Sequence, residues 1–309
     1  MKIVFLDSAT MGDDISLSGI EALGELVCWP VTTPDEVVKR VSGADVIITN
    51  KVVISREAID AAENLKLICV AATGMNNVDT AYAAMKGIPV KNAVGYSTDS
   101  VLQVTFTLIF GLIGKLFLYD SYVKNGKYSG GVMYTNIKDK FHEIKGMKLG
   151  VIGMGNIGKK VAQAATLFGA EVSYYSTSGT SHCKEYPSLS LKELLSSSDI
   201  VSIHAPLNDR TKDLIAKEQL KWMKSDAIII NMGRGGIVNE SDLASALDEG
   251  IIAGAGVDVF EQEPFPKDHS YMKIIHKERI LLTPHIGWAS VEARKRLVEI
   301  VVSNIASLT

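Results

Sequence analysis

The stretch 148–176 restricts the fold of this chain more than any other. It holds a short apolar run, a turn with the spacing G-x-G-x-x-G, a helical pattern and a second apolar run. Three spaced glycines alone would fit many turns, but a strand before them and a helix after them indicate a dinucleotide site. The glycines allow a tight turn, close approach of a pyrophosphate and helix–strand packing, and the helix N-terminus offers N–H groups to phosphate. The predicted cofactor residues of the turn are Gly153, Gly155, Asn156, Ile157 and Gly158.

Composition describes an ordinary globular chain. Its 309 residues predict about two domains, and 47% hydrophobic with 22% charged residues is typical of a protein with substantial cores. The net charge is −3 and no block of Lys and Arg occurs, which argues against a nucleic-acid partner. Cys28, Cys69 and Cys183 are isolated, so neither a disulfide framework nor a metal site is expected. The N-terminus lacks the flanks of a signal peptide, and we expect a cytoplasmic protein.

Apolar runs alternate with helical patterns on both sides of the glycine turn. This alternation predicts an α/β fold with parallel sheets covered on both faces. Ser55 and Asp79 are placed to cap helices, and Pro34 suits a first helical turn. The predicted strands are 2–6, 26–29, 46–49, 67–71, 88–91, 149–152, 171–175, 199–204, 227–232, 253–260 and 279–283.

Residues 101–119 form a nearly continuous apolar segment. Its length approaches a membrane span of about 20 residues, but Gly111, Gly114 and Lys115 interrupt it and no second candidate exists. We interpret it as a helix that is apolar all round and therefore buried, with no membrane partner. Such a helix could form a domain connection, a subunit interface, or both, and the irregular segment 125–140 follows it.

Polar side chains follow three consecutive predicted strands. They are Arg234, Glu263 and His285. Each by itself could be an ordinary solvated or structural residue, but all three lie on the edge where a doubly wound sheet binds its ligand. Reduction of a 2-keto acid requires a proton donor, for which His is suited, and a carboxylate beside the imidazole orients it. An Arg can hold the substrate carboxylate and polarise the carbonyl, while the hydride belongs to the cofactor.

These motifs resemble those of the D-isomer-specific 2-hydroxyacid dehydrogenases, and most closely the glycerate dehydrogenases, also called hydroxypyruvate reductases. The resemblance extends over nearly the whole chain. The stretches that carry it are 72–74, 95–98, 153–158, 231–236, 254–264 and 283–288.

The resemblance implies a role for each site residue. Arg234 would be the substrate clamp, Glu263 the partner of the histidine, and His285 the acid and base. Asp258 would lie near the nicotinamide amide. Further cofactor contacts are expected from Ser176, His204, Ala205, Pro206, Met232 and Gly233, and substrate contacts from Thr73, Gly74, Met75, Arg234 and Trp288.

The resemblance also implies the architecture, two Rossmann-like or flavodoxin-like parallel-sheet domains with an active-site cleft between them. Residues 1–98 and the returning segment 287–309 would form the substrate-binding domain, and 99–286 the NAD-binding domain. A homodimer is expected. Three departures from the usual pattern bear on substrate choice, namely Gln103, Met75 and Gly287.

The expected reaction is NAD(H)-dependent hydride transfer between nicotinamide and a small 2-keto or 2-hydroxy acid. Hydroxypyruvate and D-glycerate are the first choice, and D-lactate or another D-2-hydroxy acid is the alternative. A rival of a different class is a non-catalytic NAD(H)-sensing protein, because a fold does not fix a function. A sensor would have no need of all three catalytic residues.

The cofactor prediction depends on the end of the strand 171–175. An acid there would bind the ribose hydroxyl of NAD, and an Arg nearby would accept the phosphate of NADP. Ser176 stands at that position, and 176–183 contains no acid, Arg or Lys. Hydroxyls cannot neutralise a phosphate dianion, so the sequence predicts NADH over NADPH with moderate discrimination.

Overall fold

The computed structural model of this protein describes residues 1–181 and 183–308 and consists of two compact units. The first unit contains Met1–Ser97 and Trp288–Thr309, and the second unit is Thr98–Gly287. These bounds lie within one residue of the division that the resemblance implies. Each unit has its own parallel sheet and its own hydrophobic cores, so the predicted α/β fold class is confirmed.

The first unit has a five-stranded parallel sheet in the order β2-β1-β3-β4-β5. Its strands are β1 (Lys2–Phe5), β2 (Glu25–Cys28), β3 (Val46–Thr49), β4 (Leu67–Val70) and β5 (Val90–Asn92). Its helices are α1 (Ser18–Glu21), α2 (Val37–Val41), α3 (Arg56–Ala61), α4 (Thr80–Met85) and α11 (Val291–Ala306). The central strands β3 and β4 are buried along their whole length, which explains why they read as unbroken apolar runs.

The predicted helix starts of the first unit are confirmed. Ser55 Oγ accepts a hydrogen bond from the Ala58 N–H at 3.4 Å, and Asp79 Oδ1 accepts one from the Tyr82 N–H at 2.9 Å. Pro34 opens a 3₁₀ turn that leads into α2. These caps satisfy N–H groups that the first turn of a helix leaves without partners.

Helix α11 completes the first unit from the far end of the chain. Its buried residues include Ala293, Leu297, Val301 and Ile305, which recur every four positions on one face. They share a core cluster with side chains of β1, β3 and β4. The C-terminal segment therefore belongs structurally to the first unit.

The second unit has a six-stranded parallel sheet in the order β11-β10-β9-β8-β6-β7. Its strands are β6 (Lys148–Ile152), β7 (Glu171–Tyr175), β8 (Ile200–Ile203), β9 (Ile228–Asn231), β10 (Gly254–Val257) and β11 (Ile280–Leu282). Its helices are α5 (Thr98–Ile113), α6 (Leu116–Lys124), α7 (Asn156–Leu167), α8 (Leu191–Ser197), α9 (Lys217–Leu220) and α10 (Glu240–Asp248). The strand order reverses beside β6, and such a reversal opens a crevice at the carboxyl ends of the strands.

The single buried helix expected over 101–119 is wrong. The structure has two helices, α5 and α6, bent by 60° at a break where Lys115 takes a left-handed φ of +49°. Eight residues of α5 are buried but none of α6 is, because the second half of the segment carries polar residues such as Asp120 and Ser121. Among the described residues no single helix is long and apolar enough to cross a membrane, although α5 and α6 together meet that test by length and composition.

Candidate active site

The glycine turn between β6 and α7 has the geometry that its spacing predicts. Gly153 has φ +93°, and a Cβ there would lie 2.8 Å from the backbone N of Ala205. At Gly158 a Cβ would overlap the carbonyl oxygen of Gly153, so only glycine lets the helix approach the strand this closely. At Gly155, in contrast, a Cβ would have no atom within 4 Å. Each glycine therefore has a local reason, and the second one leaves open space.

That open space lies at the start of a twelve-residue helix. Gly155 is the N-cap of α7, and no side chain caps the first turn. The N–H groups at the start of a helix carry partial positive charge and attract anions. These residues fit the pyrophosphate of a dinucleotide, with Asn156 and Ile157 supplying N–H donors.

The other predicted cofactor residues lie along the same edge of this sheet. Each follows the carboxyl end of a strand. Ser176 follows β7, His204 to Pro206 follow β8, Met232 and Gly233 follow β9, and Asp258 follows β10.

His204 is fixed as a neutral side chain. Its Nε2 lies 2.8 Å from Ser202 Oγ, and burial lowers its pKa to about 3. Its Nδ1 is buried without a hydrogen-bond partner among the described residues. A neutral, enclosed imidazole suits a contact with an uncharged ring better than a contact with phosphate.

The backbone around Arg234 is held rigidly. Asn231 Nδ2 donates to the Arg234 carbonyl at 3.1 Å, and the Gly233 N–H donates to Asn231 Oδ1 at 3.1 Å. A Cβ at Gly235 would overlap the backbone of Phe260, so the loops after β9 and β10 pack in direct contact. The Arg234 side chain itself is exposed, and one of its five N–H donors reaches the Gly233 carbonyl at 2.8 Å. The remaining donors can bind a carboxylate.

The structure brings Glu263 and His285 together. Glu263 Oε2 lies 2.7 Å from His285 Nδ1, and Glu263 Oε1 accepts the Phe260 N–H at 2.9 Å. His285 has φ +53°, a conformation that non-glycine residues adopt only when their surroundings impose it. Because Nδ1 is engaged by the carboxylate, Nε2 is the ring nitrogen that can face a substrate.

Asp258 has a structural task that sequence reasoning missed. The side chain is 2% exposed, and its oxygens accept from Thr283 Oγ1 at 2.6 Å, Ile286 N–H at 2.9 Å and Gly287 N–H at 2.8 Å. Burial raises the pKa of this carboxyl, and the three hydrogen bonds oppose that shift. Asp258 therefore fixes the loop that carries His285, in addition to the nicotinamide contact that the resemblance implies.

A second buried pair, also missed from the sequence, supports the loop that carries Glu263. Glu240 Oε2 lies 2.7 Å from His269 Nε2, and Glu240 Oε1 accepts the Glu261 N–H at 2.8 Å. The His269 ring stacks on Phe265 with centroids 4.7 Å apart. The only signal in the sequence is a His six residues after Glu263, which gives no hint of its partner on α10.

The predicted substrate residues Thr73, Gly74, Met75 and Trp288 belong to the first unit. Thr73 follows β4, where its Oγ1 donates to the Ala93 carbonyl at 3.0 Å. Trp288 lies edge-on to Tyr96, with ring centroids 6.4 Å apart. These residues are therefore placed by the sheet of the first unit, independently of Arg234, Glu263 and His285.

The fold and this site define a dinucleotide-binding oxidoreductase. Residues 106–287 match the family model of the D-isomer specific 2-hydroxyacid dehydrogenase NAD binding domain. A hydroxypyruvate reductase of Blautia hydrogenotrophica is 35% identical over 99% of this chain and 96% of its own length. A glycerate dehydrogenase of Methylorubrum extorquens is 35% identical over 98% of this chain and 95% of its own.

A solved structure agrees with these relatives. The TT0316 protein from Thermus thermophilus has a TM-score of 0.88 and 30% identity, covering 100% of this chain and 96% of that chain. The protein belongs to the D-isomer-specific 2-hydroxyacid dehydrogenase family, and the resemblance stated from its motifs is confirmed.

Proposed function

We propose that this protein interconverts hydroxypyruvate and D-glycerate by hydride transfer with a nicotinamide dinucleotide. The observation that carries the proposal is the 2.7 Å contact between Glu263 and His285, on loops that follow neighbouring strands beside the loop of Arg234. A binding protein has no need of a carboxylate-oriented imidazole at this edge. The two relatives named above support the choice of substrate, since their names give hydroxypyruvate and glycerate.

The residues of the second unit have distinct tasks in this reaction. Arg234 binds the substrate carboxylate with two parallel N–H groups and polarises the adjacent carbonyl. His285 donates the Nε2 proton to the carbonyl oxygen as that oxygen gains charge, and takes it back in the reverse direction. Glu263 orients the ring through Nδ1 and stabilises its protonated form. The nicotinamide, when bound, supplies or accepts the hydride.

Backbone N–H groups of Thr73 to Met75 are proposed to receive the substrate carboxylate from the first unit. One part of the sequence argument changes, because Asn77 was expected to be available for the substrate hydroxyl. Asn77 Nδ2 instead donates to the Val52 carbonyl at 3.0 Å, while Asn76 is exposed. Of the two asparagines, Asn76 is therefore the side chain left for hydroxyl recognition.

We predict that hydroxypyruvate gives the highest kcat/KM, glyoxylate a lower value and pyruvate a much lower one. A site that hydrogen-bonds a hydroxyl discriminates strongly against the analogue that lacks it. The measurement is the loss of reduced-nicotinamide absorbance with each keto acid and each reduced cofactor. A higher kcat/KM for pyruvate or a branched keto acid would assign another substrate, and no turnover with any keto acid would favour the sensor.

We also propose a homodimer formed through α6 and the irregular segment 125–140. Large apolar side chains there are exposed, such as Phe117 at 59% and Tyr134 at 91%. Such a concentration of apolar surface is typical of an interface. The cytoplasmic location inferred from the isolated cysteines stays a prediction.

Sedimentation velocity tests the dimer. The unmodified chain should sediment with twice the mass of one chain, and Phe117→Lys should shift it toward the monomer. Leu167→Lys is the matched control, since Leu167 is an exposed apolar residue on α7, outside this surface. A monomer in the unmodified protein, or equal effects of the two changes, would contradict the proposed interface.

A further inference from the structure

The loop after β7 is the place where the second unit would discriminate between NAD and NADP. Residues 176–181 carry five hydroxyl side chains and no carboxylate. The NADH expectation rested on the lack of an Arg or Lys near this loop in the sequence. The structure locates a cation there that comes from another part of the chain.

That cation is Arg210, in the turn that follows β8. Its Nη1 donates to the Ser178 carbonyl at 3.0 Å, across 32 positions of sequence. A Cβ built on Gly179 would lie 3.8 Å from the same nitrogen. The guanidinium therefore lies against the loop that begins at Ser176.

The loop itself is anchored at both ends. Ser176 Oγ donates to the Thr180 carbonyl at 2.6 Å. The hydroxyl of buried Tyr174 contacts Ser181 Oγ and donates to the Cys183 carbonyl at 3.1 Å. Its hydroxyls and backbone are thus held in one arrangement beside the end of β7.

The turn that carries Arg210 is equally well fixed. Thr211 is fully buried, and its Oγ1 donates to the Pro206 carbonyl at 2.7 Å and accepts the Asn208 N–H at 2.8 Å. The Arg210 N–H donates to Asn208 Oδ1 at 2.9 Å. Arg210 is therefore presented by a rigid support, with its side chain exposed to a ligand.

Charge around this turn is balanced, so Arg210 acts as an individual group. Asp209 and Asp213 offset Arg210 and Lys212, giving residues 209–213 a formal charge of zero. Asp213 Oδ1 accepts from Asn239 Nδ2 at 3.1 Å and is thereby oriented toward α10. Arg210 is the cation of this turn that contacts the loop after β7.

We propose that Arg210 binds the adenosine 2′-phosphate of NADPH, so that this protein prefers NADPH to NADH. The inference rests on the proposed function, in which the glycine turn places the adenosine ribose at the end of β7. One of five guanidinium N–H groups holds Ser178, and the others can bind two phosphate oxygens. With no acid at Ser176, nothing in the loop repels the phosphate, and the hydroxyls add hydrogen bonds.

Binding of two fragments tests this without catalysis. Adenosine 2′,5′-bisphosphate and adenosine 5′-monophosphate differ only in the 2′-phosphate, and isothermal titration calorimetry gives both Kd values. We expect the bisphosphate to bind at least about tenfold more tightly, which corresponds to about 1.4 kcal/mol. Arg210→Gln should remove this difference and leave the monophosphate affinity unchanged. Lys212→Gln, which removes a neighbouring cation, should preserve it.

Steady-state kinetics gives an independent result. The ratio of kcat/KM for NADPH over NADH should exceed about ten and should fall below one in Arg210→Gln combined with Ser176→Asp. Equal affinity for the two fragments, or a preference that survives Arg210→Gln, would overturn the inference while the dehydrogenase proposal stands. Absence of both nucleotide binding and turnover would instead overturn the proposed function, and this inference with it.

Discussion

Replacing His285 by Ala should lower kcat for keto-acid reduction by about 10²–10⁴-fold, the range for loss of a positioned general acid. The reason is that Nε2 would no longer donate a proton to the carbonyl oxygen. Binding of the reduced cofactor should remain nearly unchanged, since the glycine turn lies at other strand ends of the sheet. Stopped-flow reduction and cofactor titration measure the two effects separately.

A second histidine supplies the control for this change. His276 lies 3.3 Å from Glu278, so it also pairs with a carboxylate, but both side chains are exposed, at 43% and 56%. His276→Ala should leave kcat unchanged. If His285→Ala turned over at a nearly normal rate, His285 would not be the acid, whatever the effect on stability.

Replacing Arg234 by Gln should lower kcat/KM for the keto acid by about 10²–10⁴-fold. A hydrogen bond to a charged group contributes about 1.5–3 kcal/mol, and a bidentate contact with a carboxylate makes two of them. KM should rise and kcat should fall together, because the clamp both binds the carboxylate and polarises the carbonyl. Initial rates over a range of keto-acid concentrations give both constants.

Two further variants interpret that result. Arg234→Lys keeps the charge but loses the paired donors, and it should recover only part of the activity. Arg210→Gln is the matched Arg-to-Gln change in the same unit, and it should alter cofactor choice without raising KM for the keto acid. A normal keto-acid KM and kcat in Arg234→Gln would exclude Arg234 as the clamp.

Local pattern was sufficient for the sheets and for much of the candidate site. Strands such as β3 and β7 were found with the bounds that the structure gives, because a buried parallel strand is a short apolar run. The glycine turn could be read because its restrictions arise within six residues, Gly153 to Gly158. Arg234, Glu263 and His285 could be grouped because neighbouring parallel strands end at one edge.

The break between α5 and α6 shows where local pattern misleads. Hydrophobicity continues past Gly114, but the backbone turns at Lys115 and the following residues become exposed. A mean over a window of residues cannot register one left-handed residue. The break therefore has to be seen in the backbone.

The order of strands and helices, the dinucleotide turn and the family all follow from the order of residues alone. Folding sets which distant groups meet: α11 in the core of the first unit, Asp258 under the loop of His285, and Arg210 against Ser178. Backbone preferences and periodicity depend on residues a few positions apart, whereas these contacts join positions up to 32 apart in the sheet edge and far more in α11. A hydrogen bond across that separation leaves no periodic signal, so the cation proposed to set cofactor choice became visible only when the chain was folded.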